Sequence, residues 1–138
     1  MTTYESDIKT ISSNEEVVFN ILSDLNNLQK IKEKFPENDV VSGMQFDSDR
    51  CSFQAPVVGK ISFRITSREP NKQIALTLEN SPMEANAWIY LAPISQDETE
   101  LKLALSADLP PMVKMMADKK IKEGINVLAE KLAEALSV

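Results

Sequence analysis

The sequence has no histidine, which removes the commonest neutral-pH base, the commonest metal ligand and every serine–histidine or cysteine–histidine relay. Its single cysteine, Cys51, excludes an internal disulfide and leaves a zinc site little to bind with. Basic residues are in deficit. Against 21 Asp and Glu stand 15 Lys and Arg, giving a formal net charge of -6 and a pI near 4.7. That balance works against nucleic acid and anionic membrane surfaces, which attract cationic patches. Even Lys119, Lys120 and Lys122 are interleaved with Asp118 and Glu123. No apolar run approaches the roughly 20 residues that span a bilayer. The start, Met1 to Asp7, lacks the positive region and apolar core of a secretory signal. These absences lead us to expect a cytoplasmic protein without cofactor, metal, nucleic-acid partner or membrane-spanning segment.

What is present suits a globular chain. With 43% hydrophobic residues over 138 positions, it reads as one domain, 1–138, able to bury a core without staples. The longest amphipathic stretch is the last, from Pro110 to Val138. Proline at a helix start gives up an N–H that would have no partner there. Ile121, Ile125, Leu128, Leu132 and Ala135 then recur at spacings of three and four, on one face. Gly124 within it marks close approach to a sheet, a bend, or a position where glycine is simply tolerated.

The rest of the chain alternates. Tyr4 to Thr10 has period two, with Tyr4, Ser6, Ile8 and Thr10 on one side. Ser13 or Asn14 can cap a helix whose apolar stripe is Val17, Val18, Ile21, Leu22 and Leu25. A second short helix follows from about Leu28 to Lys34, anchored by Leu28, Ile31 and Phe35 and stopped by Pro36. Six further strands are predicted over 41–46, 50–55, 59–68, 73–79, 85–91 and 99–107. Their short separators, such as Asp47-Ser-Asp and Glu69-Pro-Asn-Lys, favour an antiparallel meander. Ile61, Phe63 and Ile65, then Ile74, Leu76 and Leu78, then Leu101, Leu103 and Leu105 give the sheet one apolar face. Ala85, Ala87, Ile89 and Leu91 continue that face and send Trp88 and Tyr90 outward. The terminal helix is the only long element able to cover it.

This order, with Ser13-Asn-Glu-Glu-Val-Val-Phe-Asn-Ile-Leu-Ser-Asp-Leu-Asn-Asn-Leu, Val58-Gly-Lys-Ile-Ser-Phe-Arg-Ile and Ile125-Asn-Val-Leu-Ala-Glu-Lys-Leu-Ala, resembles the START-like or Bet v 1-like (SRPBCC) superfamily. The local sequence also looks like its bacterial polyketide-cyclase-like members. The resemblance covers nearly the whole chain and implies an α+β helix-grip fold. In that fold a curved seven-stranded antiparallel sheet wraps a long C-terminal helix, two short helices follow the first strand, and a cavity lies between sheet and helix. Because that superfamily includes carriers, receptors and cyclases, fold analogy assigns no reaction.

Candidate cavity residues are Ile61, Phe63, Ile65, Leu76, Ile89 and Leu103 from the strands, with Met112, Met116, Ile121 and Leu128 from the helix. The thioethers of Met112, Met115 and Met116 suit an apolar guest, and core packing is the plainer reading of the same residues. No pair of residues has catalytic spacing; Tyr4 is the best inward phenol, and Glu84 or Asn86 can approach a mouth. Asp39, Asp47 and Asp49 read as turn residues. Arg64 and Arg68, four apart on a strand, read as surface ion-pair partners, and Cys51 as a buried small apolar group. The expected function is carriage of a small apolar molecule. The alternatives are self-association, as a homodimer, through Trp88 and Tyr90 on the outer sheet face, and, third, a cyclase-like enzyme.

Overall fold

A computed structural model describes residues 2–31, 44–55, 59–79 and 83–137. Among them are eight strands and three helices, in the order β1 (Thr2–Glu5), β2 (Lys9–Ile11), α1 (Glu15–Leu22), α2 (Asn26–Ile31), β3 (Gln45–Phe46), β4 (Arg50–Ala55), β5 (Gly59–Glu69), β6 (Gln73–Leu78), β7 (Ala85–Ser95), β8 (Glu98–Ala107) and α3 (Pro111–Leu136). The strands form one antiparallel sheet in the order β1-β8-β7-β6-β5-β4-β3, with β2 also on β8. The meander follows from the short connections, and the chain start closes onto its last strand.

The expected first strand is two. Its alternation holds through Tyr4 and Ser6, both buried, and then slips: Ile8 is 60% exposed and Ile11 is fully buried in its stead. Ser6 causes the break. Its backbone N–H donates to the Leu103 carbonyl at 2.8 Å, while its hydroxyl, not its carbonyl, accepts from the Leu103 N–H at 2.9 Å. The side chain thus takes over a ladder bond and the parity shifts.

Asn14 caps α1, its side-chain oxygen accepting from the Glu16 N–H at 2.8 Å, with Glu15 and Glu16 in the positive first turn. Val18, Phe19 and Leu22 are its buried face, whereas Val17 is exposed. The second helix starts two residues before the expected Leu28, which is buried; Phe35 and Pro36 lie outside the described residues. Positions 41–43 of the next expected strand do too. The β7–β8 hairpin is longer than expected, because both strands run on to the Gln96-Asp97 turn past Pro93, where the register shifts.

Register places inward residues in rows across the sheet. Tyr4 pairs with Leu105, Leu105 with Ala87, Ala87 with Leu76 and Leu76 with Ile65. The next row runs Leu103, Ile89, Ile74, Arg68. Arg68 is there because a bulge between Ile65 and Ser67 flips the strand's parity. Arg64, opposite Thr77, keeps the outer face, so the two arginines do not share one. Arg68 reaches round to the end of α1, donating to the Ser23 carbonyl at 2.9 Å and pairing with Asp49 at 2.8 Å. A cation there complements the negative helix end.

At 26 residues α3 is about 39 Å long. It packs on β1, β2 and β8. Ala117, Ala129 and Ala133 are buried together with Leu132 and Leu136, small side chains that let the helix lie close. Its C-terminal end is clamped. The buried Ser13 hydroxyl donates to the Leu136 carbonyl at 2.6 Å, and the Ser137 hydroxyl accepts from the Ser12 N–H at 3.0 Å. The fully buried Thr99 hydroxyl donates to the Ser13 carbonyl at 2.8 Å, tying the clamp to β8. A helix end buried without such partners would leave carbonyls unsatisfied. None of the described helices is long and apolar enough to cross a membrane.

Candidate functional site

Close packing of α3 on β1, β2 and β8 leaves a space between its middle turns and the inner face of β4 to β8. This cavity measures about 220 Å³. The helix contributes Lys120, Ile121, Gly124, Ile125, Leu128 and Leu132. Opposite them, Phe53 and Phe63 stack with centroids 6.2 Å apart and rings 12° from parallel, a flat aromatic wall. Ile61, Leu76, Leu78, Ile89, Leu103 and Leu105 carry the wall across the sheet, and Leu25 and Leu28 close one end.

Seven of the ten expected cavity residues border this space: Ile61, Phe63, Leu76, Ile89, Leu103, Ile121 and Leu128. The other three do not. Ile65 is buried, but it lies beside the β5 bulge, packed into the core. Met112 and Met116 are 75% and 60% exposed, and Met115 between them 85%. The first turns of α3 thus present their thioethers to solvent, before the helix reaches the cavity at Lys120. Sequence reasoning placed these methionines inside because a helix period fixes which residues share a face and not where along its length the sheet begins.

Several lining residues were missed, with different signals. Leu78 and Leu105 share the parity of Leu76 and Leu103 and were legible; Phe53 shares that of Cys51, on a strand that supplied no expected cavity residue. Leu25 and Leu28 read as inward residues of the two short helices, with no sign that those helices border the cavity, and Met44 gave no sign. Gly124 is informative in another way. A Cβ built there would meet nothing within 4 Å, so the glycine serves no close approach and its missing side chain enlarges the cavity.

Tyr4, Cys51 and Asp47 have structural roles. Tyr4 is buried, and its hydroxyl donates to Asp118 Oδ1 at 2.5 Å; burial and this carboxylate push the phenol up to about 12. The pair links β1 to α3 outside the described lining. Burial likewise pushes the Cys51 thiol up to about 12, so it stays a protonated, inert wall group. Asp47 Oδ1 accepts from the Asp49 and Arg50 N–H groups at 3.0 and 2.8 Å, which makes it a turn residue. Among the described residues no cluster could hold a metal ion; Asp39 lies outside them.

Trp88 and Tyr90 stack on each other, centroids 6.5 Å apart and 9° from parallel. Lys102 lies 5.5 Å from the Tyr90 centroid and pairs with Glu5. Both rings are half-buried: Trp88 lies between Ala75 and Ala104 on the outer face, Tyr90 between Gln73 and Lys102, and the two rings cover each other. Trp88 also borders the cavity wall between Ala87 and Ile89.

No family model matches the sequence, and no curated protein matches it. Solved structures do. The chain is similar to a START superfamily protein from Mycobacterium smegmatis, with TM-score 0.62, 17% identity and 97% of this chain and 96% of that one covered. A conserved protein from Geobacillus kaustophilus gives TM-score 0.65, 17% identity and coverage of 98% and 92%. Norcoclaurine synthase from Thalictrum flavum, solved in complex with dopamine and hydroxybenzaldehyde, gives TM-score 0.69, 9% identity and coverage of 96% and 86%. Identities this low reach a fold and stop short of any branch, the polyketide-cyclase-like one included. The fold is the helix grip that the chain shares with these structures, the START superfamily protein among them: α+β, a curved antiparallel sheet closed around a long C-terminal helix.

Proposed function

We propose that the protein binds and carries a small, mainly apolar molecule in the space beneath α3. The observation that carries this reading is the lining: about 220 Å³ bordered by aliphatic and aromatic side chains, Cys51, Gly124 and a single charged residue among those described. Volume limits the guest. An apolar cavity of about 150 Å³ suits benzene, so this one fits a single ring with a short chain, or an aliphatic chain of similar bulk. The stacked Phe53 and Phe63 favour a ring. Norcoclaurine synthase, similar in fold, was solved with two single-ring aromatics. The reading stops at binding because Lys120 and the inert Cys51 are the ionisable groups in the described lining, which leaves no acid–base pair.

Native mass spectrometry of gently purified protein, followed by extraction of any bound molecule, tests the proposal directly. A released single-ring or short-chain compound, absent from a Gly124→Leu variant that still folds, is the expected result. Neither cargo nor saturable binding of 4-phenyl-1-butanol to the wild type would overturn it.

A further inference from the structure

Lys120 is the one charged residue among the described lining. It borders the cavity and is also exposed. A lysine with both properties sits at the rim, its stem along the apolar wall and its ammonium toward water. The acids nearest along the helix are engaged elsewhere. Asp118 accepts from the Tyr4 hydroxyl, and Glu123 lies 3.9 Å from Lys119 Nζ. Lys120 has no ion pair among the described residues, a state it shares with Lys9, Lys60, Lys72, Lys114 and Lys122, and of these it alone borders the cavity. In a chain of net charge -6, an unpaired ammonium at the edge of an apolar space is a conspicuous placement.

We infer that the ligand is a small apolar carboxylic acid, bound with its hydrocarbon part between the Phe53–Phe63 wall and Ile121 and Leu128, and its carboxylate at Lys120 Nζ. This rests on the cavity being a binding site, and it adds the ligand's polar end. The arrangement separates two tasks. Apolar burial supplies affinity and lacks direction, while one point charge at the rim fixes which end enters first. It also favours an acid over an alcohol or hydrocarbon of the same shape. Because the ammonium is solvated, the preference is modest, about twofold to fivefold at low ionic strength.

Calorimetric titration of 4-phenylbutyrate and 4-phenyl-1-butanol, matched in bulk and differing in charge, reads this preference. The two guests are titrated into wild type and Lys120→Met at low and high salt. Methionine keeps the stem's bulk and helix propensity, so the variant folds. Comparing the acid-to-alcohol affinity ratio between the two proteins cancels the difference in guest hydration. The expected result is a ratio about twofold or more lower in Lys120→Met, and a difference that shrinks in high salt. An unchanged ratio, with both guests still binding, overturns the carboxylate assignment and leaves cavity binding standing. Wild type that binds neither guest at millimolar concentration overturns the cavity reading, and this inference with it.

Discussion

Gly124 gives the sharpest test of the space beneath α3. A glycine inside a helix ordinarily costs about 0.8–1.0 kcal/mol relative to alanine. Where a glycine is kept because a neighbour presses on it, that gain is cancelled by a clash. Here a Cβ would meet nothing within 4 Å, and the backbone conformation is not one that strains an L-residue. Gly124→Ala should therefore stabilise by about 1 kcal/mol, raising the unfolding temperature by roughly 4 °C for a chain of this size. Gly124→Leu adds an isobutyl group directed into the cavity. Burying it contributes about 1.5–3 kcal/mol of transfer free energy, less any cost of an unfavourable rotamer. It should stay folded and lose most of its affinity for a ring-sized guest. Thermal unfolding followed by circular dichroism, with calorimetric titration of 4-phenyl-1-butanol, reads both effects. A Gly124→Ala variant destabilised by 1 kcal/mol or more would mean that the helix already touches the sheet there, and the cavity argument would fail.

The clamp on α3 predicts that Ser13→Ala costs about 1–3 kcal/mol in urea denaturation, because it leaves the Leu136 carbonyl without its buried donor; a loss under 0.5 kcal/mol would refute that role. Tyr4 and Cys51 set the alkaline limb of stability. Both native pKa values are raised, from 10.0 and 9.0 to about 12, so the unfolded chain releases these protons first. Stability should be unaffected below pH 9 and fall between pH 9 and 12, a slope reduced in a Tyr4→Phe, Cys51→Ala double variant. An equal slope in that variant would exclude these groups as its source. Met112, Met115 and Met116 should be oxidised by peroxide before the buried Met44, with an unfolding temperature little changed, as peptide mass spectrometry and a thermal scan would show; early oxidation of Met44, or a large fall in stability, would contradict their placement.

How much was legible follows from what kind of physics wrote each feature. Strands 50–55, 59–69 and 73–78 were readable almost to the residue, since alternation and turn residues are local. The slip at Ser6 was not, because it depends on a hydroxyl meeting the Leu103 N–H, which is 97 positions away. The bulge at Thr66 hid for a similar reason. Nothing in the run Ile65-Thr-Ser-Arg signals that Arg68 changes face and ends up at the Ser23 carbonyl. That Trp88 and Tyr90 share the outer face was implied by parity, while their stacking, and the place of Trp88 between Ala75 and Ala104 of the neighbouring strands, were not.

Period and punctuation alone determined the α+β order of elements, the apolar face of the sheet and the need for α3 to cover it. Those are properties of residues a few positions apart, and hydrophobic burial enforces them wherever the chain goes. The tertiary structure decided how far along α3 the sheet begins, which turned Met112 and Met116 to solvent and brought Lys120 to the cavity's edge. It also decided that Gly124 faces a void and not a neighbour. Both depend on the offset between a helix and a sheet, which is fixed by packing and by the clamp at Ser13 and Thr99, contacts between distant parts of the chain that no local pattern encodes.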